Sequence, residues 1–243
     1  MTDRSVFALR GGDRVSFLQG LVTNNIDRAA DGIIYTALLT PQGKFIADFF
    51  VLGRDTELLI DVASSHAATL AQRLTMYRLR ADVSIAETQM IVSRGTCPMP
   101  EGAYRDPRHP DLGWRAYGAE DISDDTDWDR LRVDLVIPET GIELTGDSYI
   151  LEAGFEALSG VDFKKGCFVG QEIVARMKHK TELKKGLVKV SVEGAASPGD
   201  AITANGKAAG TLHTVAGDKG LAHLRFDRAT GDMQAGAATI RRV

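Results

Sequence analysis

The spacing of apolar and polar residues changes several times along the chain, and each change marks an element. SVFAL reads as a short strand, and DRVSFLQGL reads as a short helix with Asp13 as its N-cap. LVTNNI is a polar break carrying Thr23, Asn24 and Asn25. IIYTALLT and KFIADFFVLG are β-rich runs joined by Pro41-Gln42-Gly43, whose turn chemistry predicts a hairpin. ELLIDVA extends the strand pattern to Ser64 and Ser65, which cap SSHAATLAQRLTMYRLR. In that segment Leu70, Leu74 and Tyr77 share one helical face, and the strand candidate ADVSIAE follows. Strands, an amphipathic helix and another strand predict an α+β sheet with the helix on one side.

From Gly95 to Asp127, prolines, glycines and an acidic run break the pattern into loops and short strands. The acids read as a solvated loop, because consecutive carboxylates do not converge on one ion without an oxygen-rich loop pattern. Asp127 caps a helix through WDRLRVDLVI that must end near Pro138. QEIVARMKHK is helical in character. Beyond it, GLVKVSVEG, AITANGKAAGTLHTV, GLAHLRF and ATIRRV are short and glycine-punctuated, and Asn205-Gly206 is a hairpin signal, which together predict a small antiparallel barrel. The expected domains are therefore residues 1–182, an α+β region, and 183–243, the barrel.

With 243 residues, 44% hydrophobic and 26% charged, the chain is long enough to bury a substantial core. A net charge of -4 argues against stable DNA binding, although the basic segment Lys178 to Lys185 keeps RNA contact open. Two cysteines far apart, with no CxxC, indicate neither a disulfide framework nor an autonomous zinc site and suit a reducing, cytoplasmic compartment. The first twenty residues lack a continuous apolar run and no later run approaches bilayer-spanning length, so a soluble protein without membrane association is expected.

The stretch FKKGCFVGQEIVARM holds the most suggestive chemistry. Gly166 and Gly170 leave Cys167 uncovered and permit close backbone approach to a ligand. The following helix presents unpaired N–H groups at its start, and Lys164, Lys165 and that positive end would favour a thiolate or hold a carboxylate. A packing cysteine beside a solvated lysine pair is the plainer alternative, and spacing alone does not decide between them.

KGCFVGQEIVARM resembles the K-G-C-[YF]-x-G-Q-E signature of the YgfZ family, folate-binding proteins related to the glycine cleavage T-protein and linked to iron–sulfur cluster assembly or repair. FLQGLVTNNI, ALLTPQGKFIADFFVL and LLIDVA match the family's N-terminal pattern in order and spacing, and GLAHLRF resembles a third, weaker element. The resemblance covers nearly the full chain. It implies a cloverleaf of two interleaved α+β lobes and a C-terminal β-barrel around a central channel for tetrahydrofolate.

Carried over by position, the signature falls on Lys165, Gly166, Cys167, Gly170, Gln171 and Glu172, and the N-terminal block includes Asn24 and Asp48. Arg176 and Arg132 join the candidate folate-binding set. Carboxylates such as Asp48 or Glu172 and amides such as Asn24 or Gln171 suit a pteridine edge, and Lys165 suits a glutamate tail. Cys167 is the candidate reactive group. Three positions depart from the pattern. Phe168 stands where tyrosine is frequent, Ala47-Asp48 has one acid where T-proteins carry a pair, and Val136 replaces a glycine expected before Pro138. The second departure argues against aminomethyl transfer. The resemblance implies a folate-dependent accessory factor whose partners are iron–sulfur client or assembly proteins, possible clients being radical enzymes that modify tRNA. The alternatives are a folate-dependent one-carbon transferase and an RNA- or protein-binding module with a structural cysteine.

Overall fold

The computed structural model describes residues 4–180 and 182–243, which fold into two compact units. The first comprises the chain up to Thr126 together with Phe155–Ala175; the second comprises Asp127–Gly154 and Arg176–Val243. The boundary expected at 182/183 falls inside the second unit, just ahead of its barrel strands.

A five-stranded antiparallel sheet organises the first unit, built from β1 (Arg4–Arg10), β2 (Ile33–Leu39), β3 (Phe45–Gly53), β4 (Glu57–Ala63) and β5 (Ser84–Glu87) in the order β2-β3-β4-β1-β5. The β2–β3 hairpin turns through Pro41-Gln42-Gly43 as its sequence predicts. Strand alternation separates the two faces of the sheet. One face carries Phe7, Leu9, Ala47, Phe49, Val51, Ile60 and Val62, packed against α1 (Arg14–Gln19) and α2 (Ser64–Arg78) through Leu18, Leu70 and Leu74. Asp13 precedes α1 but makes no side-chain cap; its carboxylate instead accepts from the Asp82 amide at 2.8 Å. Between Glu87 and Thr126 the chain adds a small sheet of β6 (Ile91–Gly95), β7 (Tyr104–Arg105) and β8 (Trp114–Gly118).

The second unit contains α3 (Trp128–Leu135), capped by Asp127 through the Arg130 amide at 3.1 Å. The helix α4 (Gln171–Lys180) runs from the first unit into it. A closed six-stranded barrel follows: β9 (Lys185–Glu193), β10 (Ala201–Ala204), β11 (Lys207–Ala216), β12 (Lys219–Arg225), β13 (Met233–Ala235) and β14 (Ala238–Arg242), in the order β10-β11-β12-β9-β14-β13. Asn205 and Gly206, at φ 50° and 73°, make the two-residue turn between β10 and β11. Val190, Ile202, Leu212, Leu224, Met233 and Ile240 fill the barrel, and closure removes the free sheet edges of its strands. Among the described residues no helix is long and apolar enough to cross a membrane.

Candidate functional site

The two sequence blocks that carry the resemblance meet inside the first unit. Gly170 has φ +84°, and a methyl group there would lie 2.6 Å from the Thr40 carbonyl oxygen and 3.1 Å from Gly43 Cα. Gly43, at φ +74°, would place its own methyl 2.8 Å from Ile173 Cβ. Both positions have left-handed backbone and neither has room for a side chain: Gly170 packs directly on the backbone of the hairpin turn, and Gly43 packs under the Ile173 side chain of α4.

A second attachment comes from Lys165. Its ammonium donates to the carbonyls of Gln19 at 2.5 Å and Val22 at 2.9 Å, and it stands 5.2 Å from the centre of the Phe168 ring. The half-buried setting lowers its pKa to about 8, against the opposing pull of Asp162 and Cys167. Two of the three N–H donors of Lys165, expected to take a glutamate tail, are thus engaged by the end of α1 and the loop beyond. Asp162 helps set the loop by accepting from the Lys164 amide at 2.7 Å and pairing with Arg28 at 3.1 Å. Phe168 is buried, whereas Gly166, at φ +101° with open space around it, and Cys167 are exposed. The result is a solvent-facing thiol on a loop fixed on both sides. Gln171 opens α4, with its amide donating to the Phe168 carbonyl at 3.2 Å, and Glu172 and Arg176 are exposed on that helix.

Other candidates serve the fold. Asn24, 4% exposed, donates from Nδ2 to the carbonyls of Tyr35 and Ser159, both at 2.7 Å, while its Oδ1 accepts from the Asn25 amide at 2.8 Å. Thr23 donates to the Gly160 carbonyl at 2.7 Å and accepts from the Ala37 amide at 3.0 Å. The polar break LVTNN thus stitches β2 to the segment before the signature. A pteridine contact for Asn24 would have to displace these bonds. Arg132 lies in the second unit, buried beneath α3. Its guanidinium reaches the Ile137 carbonyl, Glu143, Thr214 and Asp129 at 3.0–3.1 Å, and Nε lies 2.9 Å from Glu139 without hydrogen-bond geometry. The structure thus gives Arg132 a bracing role between α3 and the barrel in place of the ligand contact expected for it.

Asp48 differs from these. It is buried on the sheet face opposite the helices and accepts from the Tyr35 hydroxyl at 2.9 Å. Tyr35 stacks obliquely on Phe50 and Phe155, with ring centres 5.2 and 5.0 Å apart, and burial followed by the Asp48 charge pushes its pKa well up. A carboxylate among aromatic rings suits a flat heteroaromatic ligand with paired N–H donors. Ala47, the neighbour that would complete an acid pair, points instead into the apolar core with no exposure.

The same face holds a charged layer that the sequence reading did not single out. Asp61 accepts from Arg4 at 2.6 Å, Arg115 at 2.5 Å and Tyr117 at 3.0 Å. Arg108 chelates Asp106 at 2.8–2.9 Å and lies 4.9 Å from the centre of the Phe50 ring, with Arg115 at 3.9 Å. An aspartate in the middle of the apolar run ELLIDVA was the signal available. Among the described residues no group of three or more His, Cys, Asp or Glu side chains is arranged to hold a metal ion.

Comparison with known proteins agrees with this architecture. Residues 184–243 match the CAF17 C-terminal beta-barrel domain. The chain is similar to the mitochondrial iron-sulfur cluster assembly factor IBA57 of Mus musculus, 29% identical across 95% of this chain and 78% of the mouse protein. The Homo sapiens factor of the same name is 27% identical with the same coverage. The Neurospora crassa homologue is 29% identical over 76% of this chain but only 51% of its own length. The crystal structure of the glycine cleavage system aminomethyltransferase T from Bartonella henselae superposes with a TM-score of 0.79, covering 100% of this chain and 83% of that one at 12% identity. The fold is that of the T-protein, an α+β body with a closed six-stranded C-terminal barrel.

Proposed function

We propose that this chain is a tetrahydrofolate-binding accessory factor for the assembly or repair of iron–sulfur proteins, with Cys167 as its working thiol. The observation that carries the reading is the setting of that thiol: exposed, yet held by a loop that Lys165 and the Gly43–Gly170 contact immobilise. Half-buried Lys165 and the close approach of Gly170 to the hairpin turn hold a loop whose thiol is left exposed, which is what a functional group requires and a packing cysteine does not. The relatives' names supply the chemistry. One thiol cannot complete a four-ligand cluster, so cluster handling needs ligands from a client or assembly protein.

Folate enters through the Asp48–Tyr35 pair, the part of the candidate set whose surroundings fit a pteridine. When bound, folate would supply one-carbon chemistry or act as a structural effector; the chain's own part is to orient the ring through Asp48. Ala47, in the core, leaves Asp48 without the adjacent acid that the transferase alternative calls for.

Calorimetric titration of the purified protein with tetrahydrofolate tests the folate half. Binding should raise the melting temperature with ligand concentration, and Asp48→Asn should weaken it about tenfold or more, some 1.4 kcal/mol. No heat and no shift at saturating ligand would remove folate from the proposal. Recovery of an iron–sulfur enzyme, for example a radical enzyme that modifies tRNA, tests the other half independently.

A further inference from the structure

We infer that the outer face of the last two turns of α2, with the turn that follows, is a docking site for an acidic amphipathic helical segment of a partner protein. The inference does not depend on the folate or iron–sulfur reading. Arg78 to Ala81 form a tight turn closed by the Ala81 amide on the Arg78 carbonyl at 2.8 Å. Leu79, its first central residue, has φ 42° and ψ -103°. Those angles are close to the type II′ position, about +60° and -120°, which is normally glycine because a Cβ is strained there. The leucine side chain nevertheless gains no packing, being 89% exposed. Stability of this unit explains neither the residue nor its conformation, and glycine would serve the turn better.

Its neighbours explain it. Met76, one helical turn earlier, is 59% exposed, and Arg73, a further turn back, is exposed, as is Arg80. Arg73 and Met76 follow the i, i+3 spacing of the exposed side of α2, whose buried side carries Leu70 and Leu74, while Leu79 and Arg80 lie in the turn just beyond the helix end at Arg78. Neither Arg73 nor Arg80 forms an ion pair among the described residues, and Asp82, the next acid in the chain, is taken up by the Gly12 amide at 2.9 Å. A helix C-terminus favours cations, which accounts for Arg78, whose guanidinium turns to the Val83 carbonyl at 3.4 Å. It does not account for Arg73 or for two bare apolar side chains. Two apolar anchors bracketed by guanidinium groups complement a helix with leucines on one stripe and carboxylates beside it. Arginine rather than lysine favours planar, bidentate carboxylate recognition, and the patch spans too little apolar surface to hold a bilayer.

The test uses the full chain, labelled with 15N, and a synthetic amphipathic peptide of about four helical turns bearing leucines at i, i+3, i+4 and i+7 with glutamates flanking them. Its lysine-for-glutamate counterpart serves as control. The acidic peptide should shift amide resonances of residues 72–81 and bind at least tenfold tighter than the basic one. Arg73→Glu combined with Arg80→Glu should reverse that preference. Leu79→Gly should raise the urea midpoint while weakening the acidic peptide at least fivefold, so loss of binding is separated from loss of fold. Equal binding of both peptides, or shifts confined elsewhere, would overturn the proposal. So would binding of 3:1 phosphatidylcholine–phosphatidylserine vesicles through this face, or a concentration-dependent dimer abolished by Met76→Ser.

Discussion

Gly170, far from Gly43 in the chain, approaches the hairpin turn so closely that a methyl group on it would lie 3.1 Å from Gly43 Cα and 2.6 Å from the Thr40 carbonyl oxygen. Gly170→Ala meets both a positive φ and the Thr40 carbonyl, and should cost about 2–4 kcal/mol. Gly166→Ala shares the positive φ but opens into free space, so only about 1–2 kcal/mol is expected. Urea unfolding of the two variants checks the contrast; equal losses would mean that the close approach is not there.

The second prediction concerns acid. Burial alone would raise the Asp61 carboxyl, but Arg115 and Arg4 bring it down to about 2 from the ordinary 3.8. A folded-state pKa below the unfolded one contributes stability that is present above pH 3.8 and lost as pH falls towards 2, here roughly 2 kcal/mol. Asp61→Asn should cost more, about 3–5 kcal/mol at neutral pH, because Arg115 and Arg4 are left buried with less compensation, and it should flatten the acid limb. Stability measured from pH 2 to 6 for both proteins gives the comparison.

A third prediction follows from Val136, which caps α3 in the left-handed region at φ 57°. The chain keeps the backbone shape of a glycine while carrying a β-branched residue. Val136→Gly should stabilise the protein by about 0.5–1 kcal/mol, read as a higher urea midpoint with an unchanged slope.

The fourth separates the two thiols. Cys97 is exposed, but its thiol hydrogen-bonds to Asp124, and that contact with the carboxylate charge raises its pKa. At pH 7, iodoacetamide should label Cys167 well ahead of Cys97, and Asp124→Asn should speed Cys97. Faster labelling of Cys97 in the unmodified protein would contradict this ordering.

Much of the fold was readable because local signals and tertiary outcome agree. The β-rich runs became β2, β3 and β4, Asp127 caps α3, and Asn205-Gly206 turns within the barrel. The site was less legible, since a side chain's type does not tell where its bonds go. Lys165, Asn24 and Arg132 look like ligand contacts in sequence, yet each is bound by partners brought in by the fold: the Gln19 carbonyl, the Ser159 carbonyl and Thr214. The Arg115–Asp61 pair joins two strands that no periodicity connects. Exchange of segments between the two units, with Phe155–Ala175 returning to the first, is likewise a long-range outcome that a single boundary near Leu183 does not capture.

The most direct test of the central claim is recovery of iron–sulfur enzyme activity in a strain lacking its own factor of this kind, supplied with the natural chain, Cys167→Ser or Cys97→Ser. An exposed cysteine-to-serine change should leave stability within about 0.5 kcal/mol, verified by melting the purified variants. The account predicts that the natural chain and Cys97→Ser restore activity while a stably folded Cys167→Ser does not. Full recovery with Cys167→Ser would contradict it.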